Sequence, residues 1–509
     1  MFHLLPMSHR LLPITRLTIA FIAGVVLCKI ALQWIDIQLW ELNAMLIAWA
    51  VAIFLLHNRR QSVAFAMAVS LFSGTLGALL FLRQFDGIRY GVAAGTQHLT
   101  GVIADQPQRK AKTWAVRVHT DSGADVMAYL APDAMPEKGD SIELFACYGA
   151  EPTCLADNPD SAFADYHNYL FYSGISATAY SPSGMWRVTG HRRPSGLKSR
   201  LEAVQTAMTE MYREAGFRGE EGAIITAMTT GDRSQLSKPM RQQYSRAGVA
   251  HILALSGFHL GIIYVILQSV FVTLPLGIRW RNCLRLVIIA ALVAFTIVAG
   301  SPPSLVRAAI MFTVMMIASL LQRDNLSLNS LSLAALVMLC YQPMMLFDVG
   351  FQLSFLSMLG LTLAYGPLVG VVHIRCSLLH RLWSVVVTTV VCTVFTLPLV
   401  TYYFGYFSLM SLVSNLVVPL LAIAMMWLTV AWWALVFLPS VQTFIGDALT
   451  FVVHQMNDFT HWASLVPWAV VPFRSNLLGV VLEYVVMLAL TALLVRIYHN
   501  VSRNFRCRA

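Results

Sequence analysis

Charge is what this sequence has least of. Only 12% of its 509 residues are Asp, Glu, Lys or Arg, against 57% hydrophobic, and the mean hydropathy is +0.66. A soluble domain carries about 25% charged residues, so a soluble enzyme, a secreted disulfide scaffold and a disordered tail are all excluded. Lysine is absent from Ala250 to Ala509, where twelve arginines stand against five acids, a net of +7. Cysteine is sparse in the one long polar stretch: Cys28, Cys283, Cys340, Cys376, Cys392 and Cys507 lie in or beside apolar runs, where a thiol is a small hydrophobe. Cys147 and Cys154 remain; seven residues apart, they close a small disulfide loop in an oxidising compartment or stand as free thiols. A glycine-rich phosphate loop, metal-ligand spacings of His and Cys, internal repeats and low-complexity tracts are all lacking. Neither nucleotide hydrolysis nor a metal or other cofactor is expected.

What is present is apolar sequence in blocks of membrane-crossing length. Runs at 17–35, 40–56 and 62–82 precede a polar block from about 83 to 246, and further runs follow near 248–275, 284–300, 304–322, 327–342, 349–371, 382–402, 409–438 and 476–497. At about 20 residues per span, this predicts a polytopic α-helical membrane protein of about 10–12 spans. The piece 442–470 carries Asp447, His454, Gln455, Asn457, Asp458, His461 and Trp462 and either crosses or lies in the interface. Arg10, Arg16, Arg59 and Arg60 against Asp36 and Glu41 place the N-terminus in the cytoplasm by the positive-inside rule, and hence the polar block outside. Met1 to Arg16 is read as mature chain, since no small-residue cleavage site precedes the next spans. Among the arginines of the second half, Arg307 and Arg474 alone fall outside that orientation signal. Four regions follow: a three-span segment, 1–82; an external β domain, 83–190; an amphipathic connection, 191–246; and a helical membrane domain, 247–509.

Within the polar block, HLTGVIAD, TWAVRVHT, DVMAYLA and DSIELFACYGA alternate as strands between Pro, Gly and Asp turns. Four or more strands in about eighty residues point to one small β-barrel, with an open sheet as the alternative. Residues 98–180 hold eleven acids and five basic residues, so nucleic-acid contact there has to be local; Arg109, Lys110, Lys112, Trp114 and Arg117 are its basic and aromatic cluster, or a solvated hairpin. Aromatics at 163–172 mark the membrane interface or a packing face. Leu201, Val204, Met208, Met211 and Tyr212 fall at helical spacing, an amphipathic helix on the outer surface.

Polar residues inside the second apolar block carry the functional signal, because polarity in lipid has to face protein or water. AGVAHILALSGFHLGI, 247–262, places His251, Ser256, Gly257 and His259 at an apolar helix start. Ser256 and His259 are open to a hydrolytic reading, but no acid nearby orients the imidazole; a wet cavity lined by His beside small packing residues is the other reading. In AGSPPSLVRAAIM, 299–311, Pro302 and Pro303 start a helix that Ser304 can cap, with Arg307 one turn inside. That guanidinium suits a phosphate, or pairs structurally with Asp348 or a carbonyl. Asp348 reads as an N-cap followed by Gln352 and Ser354, and Pro398 and Pro419 read as breaks around Asn415.

These motifs resemble the ComEC family of competence proteins. TTGDRSQLSKPMRQQYSRAGVAHILALSGFHLGI at 229–262 is similar to the opening of that family's competence domain, and SPPSLVRAAIM, DVGFQLSF and TLPL to SNLVVPL follow in the family's order. Asn158, Pro159, Phe163, Tyr166, Leu170 and Gly174 resemble the end of its external OB-like domain. The resemblance implies an inner-membrane channel that passes single-stranded DNA into the cytoplasm in natural transformation. It also implies an external DNA receptor and a cytoplasmic helicase-like motor as partners, with a homo-oligomer possible in principle. Asp232 and Arg233 would shape the outer entrance, and His251, Ser256, Gly257, His259, Arg307, Gln352 and Asn415 would line or support the path. The alternatives are a transporter of small anionic solutes or lipid-linked groups, and an inactive shortened relative. Many family members continue into a metallo-β-lactamase-like domain whose metal cluster this sequence lacks, so no nuclease or other enzymatic activity is expected.

Overall fold

The computed structural model describes residues 13–57, 62–92, 96–148, 168–191, 197–272, 278–320, 327–372, 374 and 376–506. They form two compact units, Met1–Ser199 with Ser332–Asp348, and Arg200–Leu331 with Val349–Ala509.

The first unit begins with three apolar helices, α1 (Pro13–Ala31), α2 (Leu39–His57) and α3 (Ser62–Arg89). Small residues let α1 and α3 approach closely: a Cβ on Gly24 would stand 1.8 Å from the Gly74 carbonyl oxygen. Thr18 Oγ1 donates to the Ser332 carbonyl at 2.9 Å and Ser73 Oγ to that of Leu17 at 2.9 Å, so polar hydroxyls in lipid-depth helices are satisfied by backbone.

Six strands follow: β1 (Thr96–Ile103), β2 (Trp114–Thr120), β3 (Asp125–Leu130), β4 (Asp140–Tyr148), β5 (Ile175–Ser181) and β6 (Trp186–His191), with a two-residue strand, Gln108–Arg109, beside β2. The first four fall where the alternation predicts them. β1 pairs antiparallel with β2 and with β4; β2 pairs with β3, β3 runs parallel to β5, and β4 is flanked by β5 and β6. The result is a mixed sheet whose inward side chains, among them Leu99, Val116, Val118, Val126, Leu130, Ile142, Leu144 and Trp186, form one core. Trp186 Nε1 donates to the Ala131 carbonyl at 3.1 Å, which satisfies the one polar atom that the indole buries. Cys154 lies outside the described residues, so the pairing of Cys147 with it is not described; Asn158, Pro159, Phe163 and Tyr166 lie outside them too.

The sheet is joined to the helices by aromatic contact. Phe85 of α3 meets Phe171 edge-on at 5.3 Å, Tyr172 packs on Phe347, and Lys29 Nζ at the end of α1 stands 4.1 Å from the Phe347 ring centre and 4.9 Å from that of Tyr172.

The second unit carries α4 (Leu197–Glu214), α5 (Gly219–Thr229), α6 (Lys238–Arg246), α7 (Gly257–Val272), α8 (Ile278–Val298), α9 (Pro303–Leu320) and α10 (Ser327–Tyr341), the last of which continues into the first unit. Then come α11 (Val349–Gly360), a π-helical turn (Leu361–Tyr365), α12 (Gly366–Val371), α13 (Ser377–Phe404), the short strand β7 (Tyr406–Ser408), α14 (Ser411–Ala434), α15 (Pro439–Leu465), β8 (Val470–Pro472) and α16 (Leu477–Arg506). Tyr212 of α4 accepts a hydrogen bond from Trp433 Nε1 at 2.8 Å and packs among Phe217, Trp432 and Trp433, which fixes the amphipathic helix to the end of α14. Among the described residues, seven helices are long and apolar enough to cross a bilayer, and four more apolar stretches, Gly257–Ser269, Asn282–Val298, Ser304–Ala318 and Leu328–Tyr341, are shorter. This is a multi-pass helical membrane protein.

Two corrections concern backbone breaks. Pro398 and Pro419 do not end helices: α13 and α14 run through them, and the break falls at Gly405, before β7 pairs with β8. The helix expected from residue 248 starts only at Gly257.

Glu143 of β4 ties three strands, binding Arg187 of β6 and His98 of β1; these partners, Arg187 first, hold its carboxyl below its ordinary value of 4.5. A depressed carboxyl stabilises the fold above its unfolded value and loses that contribution as pH falls through the folded one. The near-ultraviolet circular dichroism of the full chain in detergent is therefore expected to fade below pH 4.5, and Glu143→Gln to flatten that acid limb; an unchanged limb would assign it to other carboxylates. Lys29→Met keeps the apolar stem and removes the charge, and is expected to cost about 1 kcal/mol, read as a lower thermal midpoint.

Candidate functional site

The residues singled out in the sequence gather around a stretch where the chain leaves helical geometry. Helix α6 starts at an N-cap, Ser237, whose Oγ accepts from Met240 N at 3.3 Å, and it ends at Gly248. There Gly248 N bonds to Ser245 O and Val249 N to Tyr244 O, a paired C-terminal turn that needs the positive φ of 78° at Gly248. Residues 249–256 are not helical, yet Val249, Ile252, Leu253 and Leu255 are buried.

This segment is held from several sides. Ser408 Oγ donates to the Arg246 carbonyl at 2.8 Å, and Ser245 Oγ and Tyr406 OH lie 2.7 Å apart. Tyr244, fully buried, donates to Asn457 Oδ1 at 2.8 Å, while Gln243 Nε2 donates to the Asn457 carbonyl and to Thr460 Oγ1. At the far end Ser304 Oγ donates to the Leu255 carbonyl at 2.6 Å. Ser304 thus serves the neighbouring segment instead of capping its own helix.

Helix α8 ends in the same paired turn, with Gly300 at φ 78°, Gly300 N on Ile297 O and Ser301 N on Thr296 O; Pro302 then receives Leu305 N and Val306 N as α9 begins, as the double proline predicts. Thr230, whose carbonyl accepts from Gln205 Nε2 at 2.6 Å, leads into Gly231, which lies against Ala299.

On this frame the predicted residues fall into three groups. Ser256 and His259 meet: the backbone N–H and the hydroxyl of Ser256 both lie 3.3 Å from His259 Nδ1, and His259 is fully buried with no hydrogen-bond partner at Nε2 among the described residues. His251 and Arg233 are the chargeable groups whose fields His259 feels, and both are exposed. Asp232 turns inward on its own loop, with Oδ1 accepting from Ser234 N at 2.9 Å. In the second group, Arg307 is 4% exposed and donates from Nη2 to Ser354 Oγ at 3.2 Å, bridging α9 and α11. Gln352 Oε1 accepts from Tyr403 OH at 3.1 Å, which joins α11 to α13. In the third, Asn415 Oδ1 is buried with Ser411 Oγ and Ser414 Oγ, none having a hydrogen-bond partner among the described residues. Pro419, four residues on, also denies the Asn415 carbonyl its helical donor. Gly257 packs α7 on α9, where a Cβ would stand 3.1 Å from Ala308 Cβ. The reading from sequence noted Asn457 among the polar residues of 442–470 but did not assign it, Gln243, Tyr244 or Thr460 to the site; their signal was polar residues at 457 and 460, one helical turn apart beside Trp462.

A polar donor left unmade in a protein interior costs about 1–3 kcal/mol, so such a set is not there for stability. As chemistry it is poor: the one imidazole nitrogen near Ser256 is shared with that residue's own N–H, and Nε2 has no acid to orient it. Fold and site define a polytopic membrane protein with polar groups buried among its helices. Residues 228–497, more than half the chain, match the family described as competence protein, and the chain belongs to that family. The ComE operon protein 3 of Bacillus subtilis (strain 168) is 25% identical over 361 residues, 70% of this chain and 45% of that protein, so the chain matches less than half the length of that relative. No solved structure matches it.

The two glycine turns separate strain from collision. Gly300→Ala meets only the Gln205 side chain at 3.8 Å and is expected to cost about 1–2 kcal/mol of left-handed strain. Gly248→Ala adds a Cβ 2.5 Å from Ser411 Cβ and is expected to lower the thermal midpoint further; equal shifts would show that the close approach to Ser411 carries no weight.

Proposed function

We propose that this chain is a channel of the bacterial inner membrane that passes single-stranded DNA into the cytoplasm during natural transformation. The observation that carries the reading is that Arg307 and His259 are buried within the family-matched helices, with Ser256, Gln352 and Asn415 half-buried in the same matched region. In this reading the N-terminus is cytoplasmic and the β domain external. The return pairing of β1 with β4, which links the five strands in the order β1, β2, β3, β5, β4 and back to β1, supports a small OB-like barrel. The four shorter apolar helices complete a bundle of eleven crossings.

Asp232 and Arg233 shape the outer entrance, and Arg307 contacts phosphates in passing. Few fixed cations suit a conduit that has to release its polyanion. Catalysis has no part in it, and the driving force comes from a cytoplasmic helicase-like motor, with an external receptor delivering DNA.

The test is uptake of labelled double-stranded DNA into a nuclease-protected cytoplasmic pool, in the parent strain and an in-frame deletion; DNA retained outside the membrane in the deletion is the expected result. Arg307→Ala is expected to lower uptake about tenfold, the worth of roughly 1.4 kcal/mol, at unchanged protein level. Ser256→Ala is expected to be tolerated, whereas abolished function would favour a hydrolase using Ser256 and His259. Unchanged uptake in the deletion would leave a transporter of smaller anions.

A further inference from the structure

The first group of polar residues holds more than an entrance. Backbone N–H groups only donate, so the Ser256 N–H at 3.3 Å makes His259 Nδ1 an acceptor, and the neutral ring carries its proton on Nε2. That N–H is buried and has no acceptor among the described residues. It sits in the first turn of α7, a helix of 16 residues, at the positive end of the helix dipole.

The loop that carries Arg233 lies beside this helix start, since Gly231 stands against Leu255 and Ala299. His251 and Arg233 lie within electrostatic reach of His259. Arg241 of α6 donates from Nη2 to the Arg233 carbonyl at 2.8 Å, and its guanidinium repels that of Arg233. All three side chains are exposed, whereas His259 is not. The nearby acid, Asp232, has Oδ1 engaged by Ser234 N. Two arginines on neighbouring segments, close enough to feel each other's charge, beside an unfilled buried N–H, complement an oxyanion.

We propose that Arg233, Arg241, His251 and His259 form a seat for one phosphate group, and that a phosphodiester of the incoming strand rests there before it passes Arg307. The identity of that ligand rests on the channel reading; the seat itself does not. Arg233 and Arg241 supply the charge, His259 Nε2–H a fixed donor, and His251 a second one.

The experiment uses the full chain in detergent micelles, titrated with a fluorescent single-stranded oligonucleotide and, by competition, with inorganic phosphate. His259→Phe keeps the ring volume and removes the donor; Arg241→Gln changes an exposed side chain and keeps the assay decisive where the buried substitution disturbs folding. Each is expected to weaken binding of both probes about tenfold, and Arg241→Gln to reduce the salt dependence of oligonucleotide binding by about one ion. Binding unchanged in both variants overturns the seat. Loss in Arg241→Gln with full binding in a folded His259→Phe overturns it as built, leaving only a cationic surface. Phosphate binding that responds to both variants, in a protein whose deletion leaves DNA uptake unchanged, sustains the seat and refutes the channel reading.

Discussion

Backbone that leaves helical geometry inside a protein has to find its hydrogen bonds there, since a buried N–H or carbonyl without a partner is costly. The second unit is organised around that demand. Residues 249–256 run unhelical between α6 and α7, and the carbonyls at either end, Arg246 and Leu255, are met by the hydroxyls of Ser408 and Ser304. Were those donors lost, the segment would have no reason to stay inside. The buried Tyr244 to Asn457 bond and the double grip of Gln243 on α15 then anchor α6, so that the bend starts from a fixed point.

Breaking helices in this way is what frees polar groups for other partners. Where α7 begins late, its first turn presents Ser256 and His259; where Pro419 interrupts the ladder of α14, Asn415 is left with an unclaimed carbonyl. Arg307 lies one turn inside α9 because a left-handed Gly300 ends α8 and a pair of prolines starts the next helix at once. The site is a by-product of turns, and each turn is specified by one or two residues.

Much of this was legible in the sequence, for identifiable reasons. Long apolar runs such as 62–82 and 382–402 have no other stable form in lipid, and the shortness of DVMAYL and TWAVRVHT, rich in Val, Tyr and Trp between turn residues, pointed to strands. SPPSLVRAAIM announced its own helix start. The unhelical stretch 249–256 was not legible, because a buried loop and a buried helix have the same apolar composition. Pro398 and Pro419 misled for the opposite reason: neighbouring helices tolerate the lost donor, so a proline in a membrane helix is a weaker stop than in water. Strand β5, ISATAYS, mixes Ile175, Thr178 and Tyr180 with small residues, and its place is set by parallel pairing to β3, which its own residues do not reveal. The anchoring of α6 on α15 joins residues more than two hundred positions apart, which no local pattern reports.

The close approach of α1 to α3 has a consequence for how the first unit assembles. Where Gly24 meets the backbone of Gly74, and Gly77 that of Phe21, no acyl chain fits between the two helices. The seam is closed by the absence of side chains, so its tightness is set by residues that contribute no apolar surface of their own.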